Sequence, residues 1–288
     1  MTRPTLAWIT VALLGLAVPA LVSAAPRDVD RRLEPSRVSP LPTQVRRVEP
    51  AVVGIRVEVE AGRPSAATLG TERAGSGVIF DGDQGYVLTV SYLLLDAARI
   101  QVSLRDGRTV PARLIGLDLE VGVAVARLEG AGPWPAATLG DSRAVRAGDV
   151  TGTVGVSDEG DLVATASRVQ AVRPFAAAWE YMLDRAFVVA PHNPAFGGAA
   201  LVDAAGAVIG ITSLRLGKAP HVDLAIPIET FLAGKDELVA RGRVTSRAPR
   251  PWLGLYTAPD ARGVVVSASR RSVRRAPRAC GPATSSCR

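Results

Sequence analysis

Cysteine, histidine and lysine are scarce in this chain, and each scarcity closes off a chemistry. The two cysteines, Cys280 and Cys287, both lie near the C-terminus, so the body of the chain has neither a disulfide framework nor a cysteine nucleophile. The two histidines, His192 and His221, are too few for a metal centre, which takes three or four ligands, and no Cys, Asp or Glu recurs beside them at ligand spacing. Each reads as a loop histidine without a catalytic task, and neither a metal nor a cofactor is expected. Of 34 lysines and arginines only Lys218 and Lys235 are lysines, a bias that points to a GC-rich gene.

The C-terminal stretch has no acidic residues to balance its arginines. Residues 261–288 hold seven arginines and no Asp or Glu, so the formal +7 belongs to the tail and residues 1–260 balance at 27 basic against 27 acidic. A nucleic-acid-binding domain needs a basic face on its folded part, so no nucleic acid is expected as a partner. Contact of the arginine tail with anionic lipid or polyphosphate stays open.

What the chain does have is short β-forming runs. Residues 52–59, 76–80, 86–89, 100–104 and 109–114 are rich in β-branched residues, with the hairpin signal Asp106-Gly107 between the last two. A second series covers residues 150–156, 162–172, 187–190, 200–214 and 222–226, with turns at residues 158–160 and 203–206. The Gly/Pro-rich stretch 130–135 connects them. The pattern predicts an all-β chain of two antiparallel barrels, over about residues 45–130 and 148–232. With 48% apolar residues the chain is long enough for two cores.

At the N-terminus, Arg3 precedes an apolar stretch over residues 6–22 that ends in Val22-Ser23-Ala24. This reads as a signal peptide, residues 1–24, and hence as export to the periplasm or the exterior. An uncleaved membrane anchor is the alternative. Residues 25–44 read as an exposed linker, with a short helix expected around residues 42–48.

Several motifs follow one another in an order that identifies a family. Gly75-Ser76-Gly77-Val78-Ile79-Phe80 and Gly85-Tyr86-Val87-Leu88-Thr89 lead into Val90-Ser91-Tyr92-Leu93-Leu94. Asp118-Leu119-Glu120-Val121-Gly122-Val123-Ala124-Val125 comes next, then Leu139-Gly140-Asp141-Ser142 and Arg146-Ala147-Gly148-Asp149. The loop Asn193-Pro194-Ala195-Phe196-Gly197-Gly198-Ala199-Ala200-Leu201 is followed by Val208-Ile209-Gly210-Ile211, Ala225-Ile226-Pro227-Ile228 and Trp252-Leu253-Gly254. This succession resembles the HtrA-type, trypsin-like serine proteases, whose nucleophile loop is N-P-G-N-S-G-G-P-L. The resemblance implies a trypsin-like double β-barrel over residues 45–235 and the opening of a PDZ domain at residues 251–266.

The same resemblance places the family's His, Asp and Ser at Tyr92, Gly122 and Gly197. None of the three residues present performs its role. Glycine at 197 has nothing that could attack a carbonyl. A tyrosine hydroxyl, with a pKa of about 10, is a poor general base near neutrality beside an imidazole of about 6.5. Gly122 has no carboxylate to orient an imidazole. The oxyanion hole would lie at Ala195, Phe196 and Gly197, through backbone N–H groups of Ala195 and Gly197. Phe196 is read either as a plug of the pocket or as core filler. Thr212, Ser213 and Leu214 are the candidates for pairing with an extended peptide along an edge strand.

Beyond residue 266 the expected PDZ turn does not arrive. Read in another frame, a GC-rich coding of residues 278–287 would spell that turn, so residues 267–288 are read as a frameshifted tail, with a natural basic extension as the alternative. Three function classes follow: an exported pseudoprotease binding extended peptides or unfolded proteins, a serine endopeptidase acting in protein quality control as the family does, or a decaying gene product. Membrane contact is expected only through an uncleaved signal or the tail, and homo-oligomer formation is left open.

Overall fold

The computed structural model describes residues 43–176, 181–248, 255–260 and 263–269. The signal segment, nearly all of the linker, Trp252-Leu253-Gly254 and the tail from residue 270, with both cysteines, lie outside the described residues.

A short helix α1 (Thr43–Val48), expected from the sequence, buries Val45 and Val48 and leads into the first barrel. Strands β1 (Val52–Val59), β2 (Glu72–Asp81), β3 (Tyr86–Val90), β4 (Ala97–Ser103), β5 (Thr109–Asp118) and β6 (Val123–Leu128) close in the order β1-β2-β3-β6-β5-β4. Strands β7 (Val150–Val156), β8 (Leu162–Ala176), β9 (Met182–Ala190), β10 (Ala200–Val202), β11 (Val208–Leu216) and β12 (Val222–Pro227) close as β10-β11-β12-β9-β8-β7. Read from β7, the second order repeats the first. The double antiparallel barrel of the trypsin-like fold is therefore what the β-branched runs and turn signals build. At Asp106-Gly107 the glycine turns at φ +87, a conformation that a Cβ would disfavour.

Alternation explains the strands at the rim. In β1, Arg56 and Glu58 face solvent while Ile55, Val57 and Val59 are buried. β6 is different: it is buried almost throughout, so it shows no alternation, and the sequence did not announce it as a strand. Leu88, Ile79, Ile55 and Leu94 are among the fully buried side chains of the first barrel, each contributing roughly 2 kcal/mol by burial.

Small residues let the barrels meet. Ser76 Oγ in β2 accepts the Val156 N–H of β7 at 2.8 Å, and a Cβ on Gly54 would stand 3.1 Å from Val156 Cγ1. A Cβ on Gly155 would meet the Ala195 carbonyl at 2.3 Å, so only glycine fits there. Short helices fill in the edges: α2 (Ala66–Leu69) after β1, α3 (Ser91–Leu94) after β3, and α4 (Ile228–Leu232) and α5 (Lys235–Arg241) after the second barrel. Helix α5 stops at Gly242 with φ +74, a left-handed cap. Strands β13 (Leu255–Asp260) and β14 (Gly263–Ser269) form a separate two-stranded sheet.

Strands β8 and β9 outrun their expected ends. The sequence predicts residues 162–172 and 187–190; β8 reaches Ala176 and β9 starts at Met182. Pro174 sits in that extension, where the pairing register slips between Arg173 and Phe175, as a residue lacking a backbone donor requires. The hairpin brings Tyr181 to the first barrel.

Candidate functional site

The loop over residues 193–198 is fastened from several sides. Asn193 is fully buried. Its side-chain amide donates to the Thr153 carbonyl at 3.0 Å and the Val163 carbonyl at 3.2 Å, while its Oδ1 accepts the Ala195 N–H at 2.8 Å. The Gly197 carbonyl accepts the Ser76 N–H at 2.7 Å, and the Gly198 N–H donates to the Thr212 carbonyl at 2.9 Å. Gly198 has φ +83, and a Cβ there would lie 2.1 Å from the Ser76 carbonyl oxygen. The second glycine of the loop is thus required by packing between the barrels, independently of any chemistry.

Tyr92, Gly122 and Gly197 come together across the seam. Tyr92 projects from α3, and a Cβ added to Gly197 would stand 3.1 Å from its hydroxyl. That hydroxyl donates to the Ser213 carbonyl at 2.8 Å. The Gly122 carbonyl accepts the Ser91 N–H at 2.9 Å, which ties it to the start of α3. Gly122 has φ +84, and the space where its side chain would go holds the ring of Tyr181: a Cβ would be 2.4 Å from Tyr181 Cε1. The Tyr181 hydroxyl donates to Ser213 Oγ at 2.6 Å. Tyrosines from the two barrels therefore converge on one serine, and they occupy the room beside both glycines.

Two expectations change here. Ala195 was expected to turn its N–H to an oxyanion; that N–H is bonded instead to the Asn193 side chain, because the Asn-Pro sequence folds into a local Asx turn. Thr212 was expected on an open edge, yet its N–H and carbonyl are bonded to Ala199 and Gly198. Among the described residues no strand covers that side of β11 from Ser213 onward. Phe196 is not core filler: it is half-buried, its ring 5.4 Å from that of His192.

His192 is more than a loop histidine. Its Nδ1 lies 2.5 Å from Asp223 Oδ1, and Asp223 Oδ2 accepts the Asn193 N–H at 2.8 Å. Asp223 is fully buried; burial pushes its carboxyl above the usual carboxylate range, although the Asn193 N–H and His192 pull the other way. The His221 ring is 5.9 Å from that of His192. Among the described residues no three His, Cys, Asp or Glu side chains are disposed to hold a metal ion, so this is a hydrogen-bonded cluster that anchors the loop to β12. The signal for Asp223 was available: a lone acid inside Val222-Asp223-Leu224-Ala225-Ile226 must find a buried partner. Tyr181 had no comparable signal.

Chemically, the site offers phenol hydroxyls, backbone amides and an imidazole paired with a buried carboxylate. No Ser, Thr or Cys side chain stands within residues 193–201.

Comparisons with known proteins agree with this architecture. The family described as Trypsin-like peptidase domain matches residues 75–211. A probable periplasmic serine endoprotease DegP-like of Halomonas elongata is 34% identical over 191 residues, covering 65% of this chain and 39% of the relative. The periplasmic pH-dependent serine endoprotease DegQ of Escherichia coli is 28% identical over 228 residues, covering 72% of this chain and 50% of the relative. The chain thus spans at most half the length of these relatives. Among solved structures, the HtrA-type protease AlgW with tripeptide superposes with a TM-score of 0.61 at 28% identity, over 80% of this chain and 76% of that one. With the duplicated barrel, the motif order and these matches in agreement, the chain belongs to the HtrA-type family of trypsin-like serine proteases.

Proposed function

We propose that this chain is an exported HtrA-type pseudoprotease that binds extended peptides or unfolded protein segments without cleaving them. The observation that carries the reading is the Gly197 position. No nucleophile is present there, and the Tyr92 hydroxyl stands 3.1 Å from where a Cβ would be. Acyl transfer needs an attacking side chain, a base and an orienting group. Residues 197, 92 and 122 supply none of these, and the Ala195 N–H is engaged by Asn193.

Binding has a physical basis in the open side of β11 from Ser213 onward, where an incoming strand can pair with backbone groups. That AlgW has been solved with a tripeptide supports peptide capture by this fold. The names of the DegP-like protein and DegQ place them in the periplasm, and the reading of residues 1–24 as a signal peptide agrees. Among the described residues no helix is long and apolar enough to cross a membrane. Residues 45–235 form the binding module on this reading, and 251–266 are the start of a PDZ domain.

The test is hydrolysis of casein by the purified full chain, with and without a fluorophosphonate probe directed at active serines. Neither released peptides nor labelled protein is expected. Hydrolysis that the probe blocks would establish an active endopeptidase and end this reading.

A further inference from the structure

We propose that Tyr92 is a displaceable latch on the peptide-binding edge: its hydroxyl occupies the backbone carbonyl that an extended peptide must capture. This rests on the binding function proposed above and adds how that site is controlled.

The edge follows from the pairing of β11. On one side β12 runs alongside it, with Leu214 opposite Leu224, Arg215 opposite Asp223 and Leu216 opposite Val222. On the other side β10 pairs only as far as Ile211, and Thr212 is bonded to residues 198 and 199. From Ser213 onward no described strand covers that side. The pairing register with β12 slips between Thr212 and Leu214, so Ser213 is an extra residue whose carbonyl, like the backbone groups of Thr212, faces away from β12; two residues on, the amide and carbonyl of Arg215 face the same way. A peptide laid antiparallel here would donate an N–H to the Ser213 carbonyl first.

In this structure that acceptor is already engaged. The Tyr92 hydroxyl donates to it at 2.8 Å. The two tyrosines divide the serine between them: Tyr181 fixes the side chain through its Oγ, and Tyr92 caps the carbonyl. Only the second bond competes with a peptide. Tyr92 is held in position by Arg73, whose Nη1 donates to the carbonyls of Tyr92 and Leu95 at 2.8 Å each. The phenol finds room because residue 197 has no side chain; a methyl there would crowd the hydroxyl at 3.1 Å. The glycine that removes the nucleophile position thereby also makes space for the latch.

Opening exchanges one neutral hydrogen bond for another, so the latch lowers affinity without abolishing it. Phenylalanine at 92 keeps the ring and deletes the donor. The experiment uses the full chain and fluorescein-labelled β-casein, an unfolded protein, with affinity read by fluorescence anisotropy. Tyr92→Phe is expected to bind about fivefold more tightly than the wild type, equivalent to ~1 kcal/mol, the net worth of one such bond. Gly197→Ala, which pushes on the hydroxyl from the other side, is expected to tighten binding in the same direction. Arg215→Pro, which deletes the next edge donor, is expected to weaken binding at least tenfold. Circular dichroism melts check that each variant is folded, and if Tyr92→Phe is not, the Gly197→Ala comparison decides.

The outcomes separate the two ideas. Equal or weaker binding by Tyr92→Phe, with the wild type binding well, overturns the latch and leaves the binding function standing. Loss of affinity in Gly197→Ala overturns the latch as well. No binding by any of the folded proteins overturns the binding function and the latch together.

Discussion

The two barrels share one strand order and fill their interiors differently. The first is packed with aliphatic side chains such as Leu88, Ile79 and Ile55, and it keeps its less exposed ionisable groups tied to loop carbonyls or neighbouring ions: Arg73 to carbonyls around α3, Asp118 to Arg247. The second buries Thr151, Thr153, Ser167, Asn193, Thr212, Ser213 and Asp223, and several of these side chains bond to or within the loop over residues 193–198. Thr151 and Thr153 both reach Ser167, at 2.9 and 3.2 Å, and Asn193 bonds to the Thr153 carbonyl. Both copies rest on apolar burial, and the first also buries Ser76 and Thr89; the second differs in how many of its buried polar side chains are directed at one loop. The network is where the loop is fastened, because only directional bonds fix an irregular segment in a single conformation.

The comparison is broken most severely where the second barrel enters the first. Gly122→Asp puts a Cβ 2.4 Å from the Tyr181 ring at a residue with φ +84, and is expected to cost about 4 kcal/mol or more in urea unfolding. A Tyr92→His, Gly122→Asp, Gly197→Ser triple substitution is accordingly expected to stay at background in a casein assay. Turnover by it would mean that Tyr181 moves aside readily.

Next come two substitutions of similar cost and opposite character. Leu88→Ala in the first barrel and Asp223→Ala in the second are each expected to lose ~3 kcal/mol. The pH dependence tells them apart. Because burial raises the Asp223 carboxyl, the folded chain holds that proton to a higher pH than the unfolded chain does. The stabilisation linked to it is complete below the unfolded carboxylate value of about 4, and is lost as the pH rises through the folded value. Asp223→Asn should remove this slope, while Leu88→Ala should lower the stability curve evenly across it. Urea titrations at several pH values check both.

Smaller is Ser167→Ala, which deletes a hydroxyl shared by two threonines and is expected to cost about 1 kcal/mol, readable as a modest drop in melting temperature. Smallest is a group outside both barrels. Glu237, half-buried on α5, is held down to about 2 by bonds from Ser246 and Thr245. Its folded value lies below the unfolded one, so its stabilisation is present above pH 4.5 and lost as the pH falls toward 2. In Glu237→Gln the acid limb of the melting curve should lose that component and little else.

Much of the fold was legible because the signals were local. Turns at Asp106-Gly107 and residues 203–206 lie where their residue chemistry demands, and most strands follow β-branched runs. β6 escaped because a strand buried on both faces has no period to read. The helices α4 and α5 escaped because they are short and pack on a barrel already complete. At the site, the positions of residues 92, 122 and 197 were legible from motif order. Their surroundings were not. Tyr181 reaches Gly122 only through a β8–β9 hairpin that outruns its β-branched runs, and the pairing of His192 with Asp223 joins residues 31 apart. Contacts made across sequence distance leave no periodic trace in either partner.

The ring over Gly122 also bears on how such a site changes over generations. While Tyr181 stands there, any single substitution that places a side chain at residue 122 is penalised by packing before it can be rewarded by chemistry. A carboxylate there would need a coordinated change at residue 181 and a new backbone conformation at 122. Glycine at 122 is thus held in place by its neighbour as well as by its own backbone.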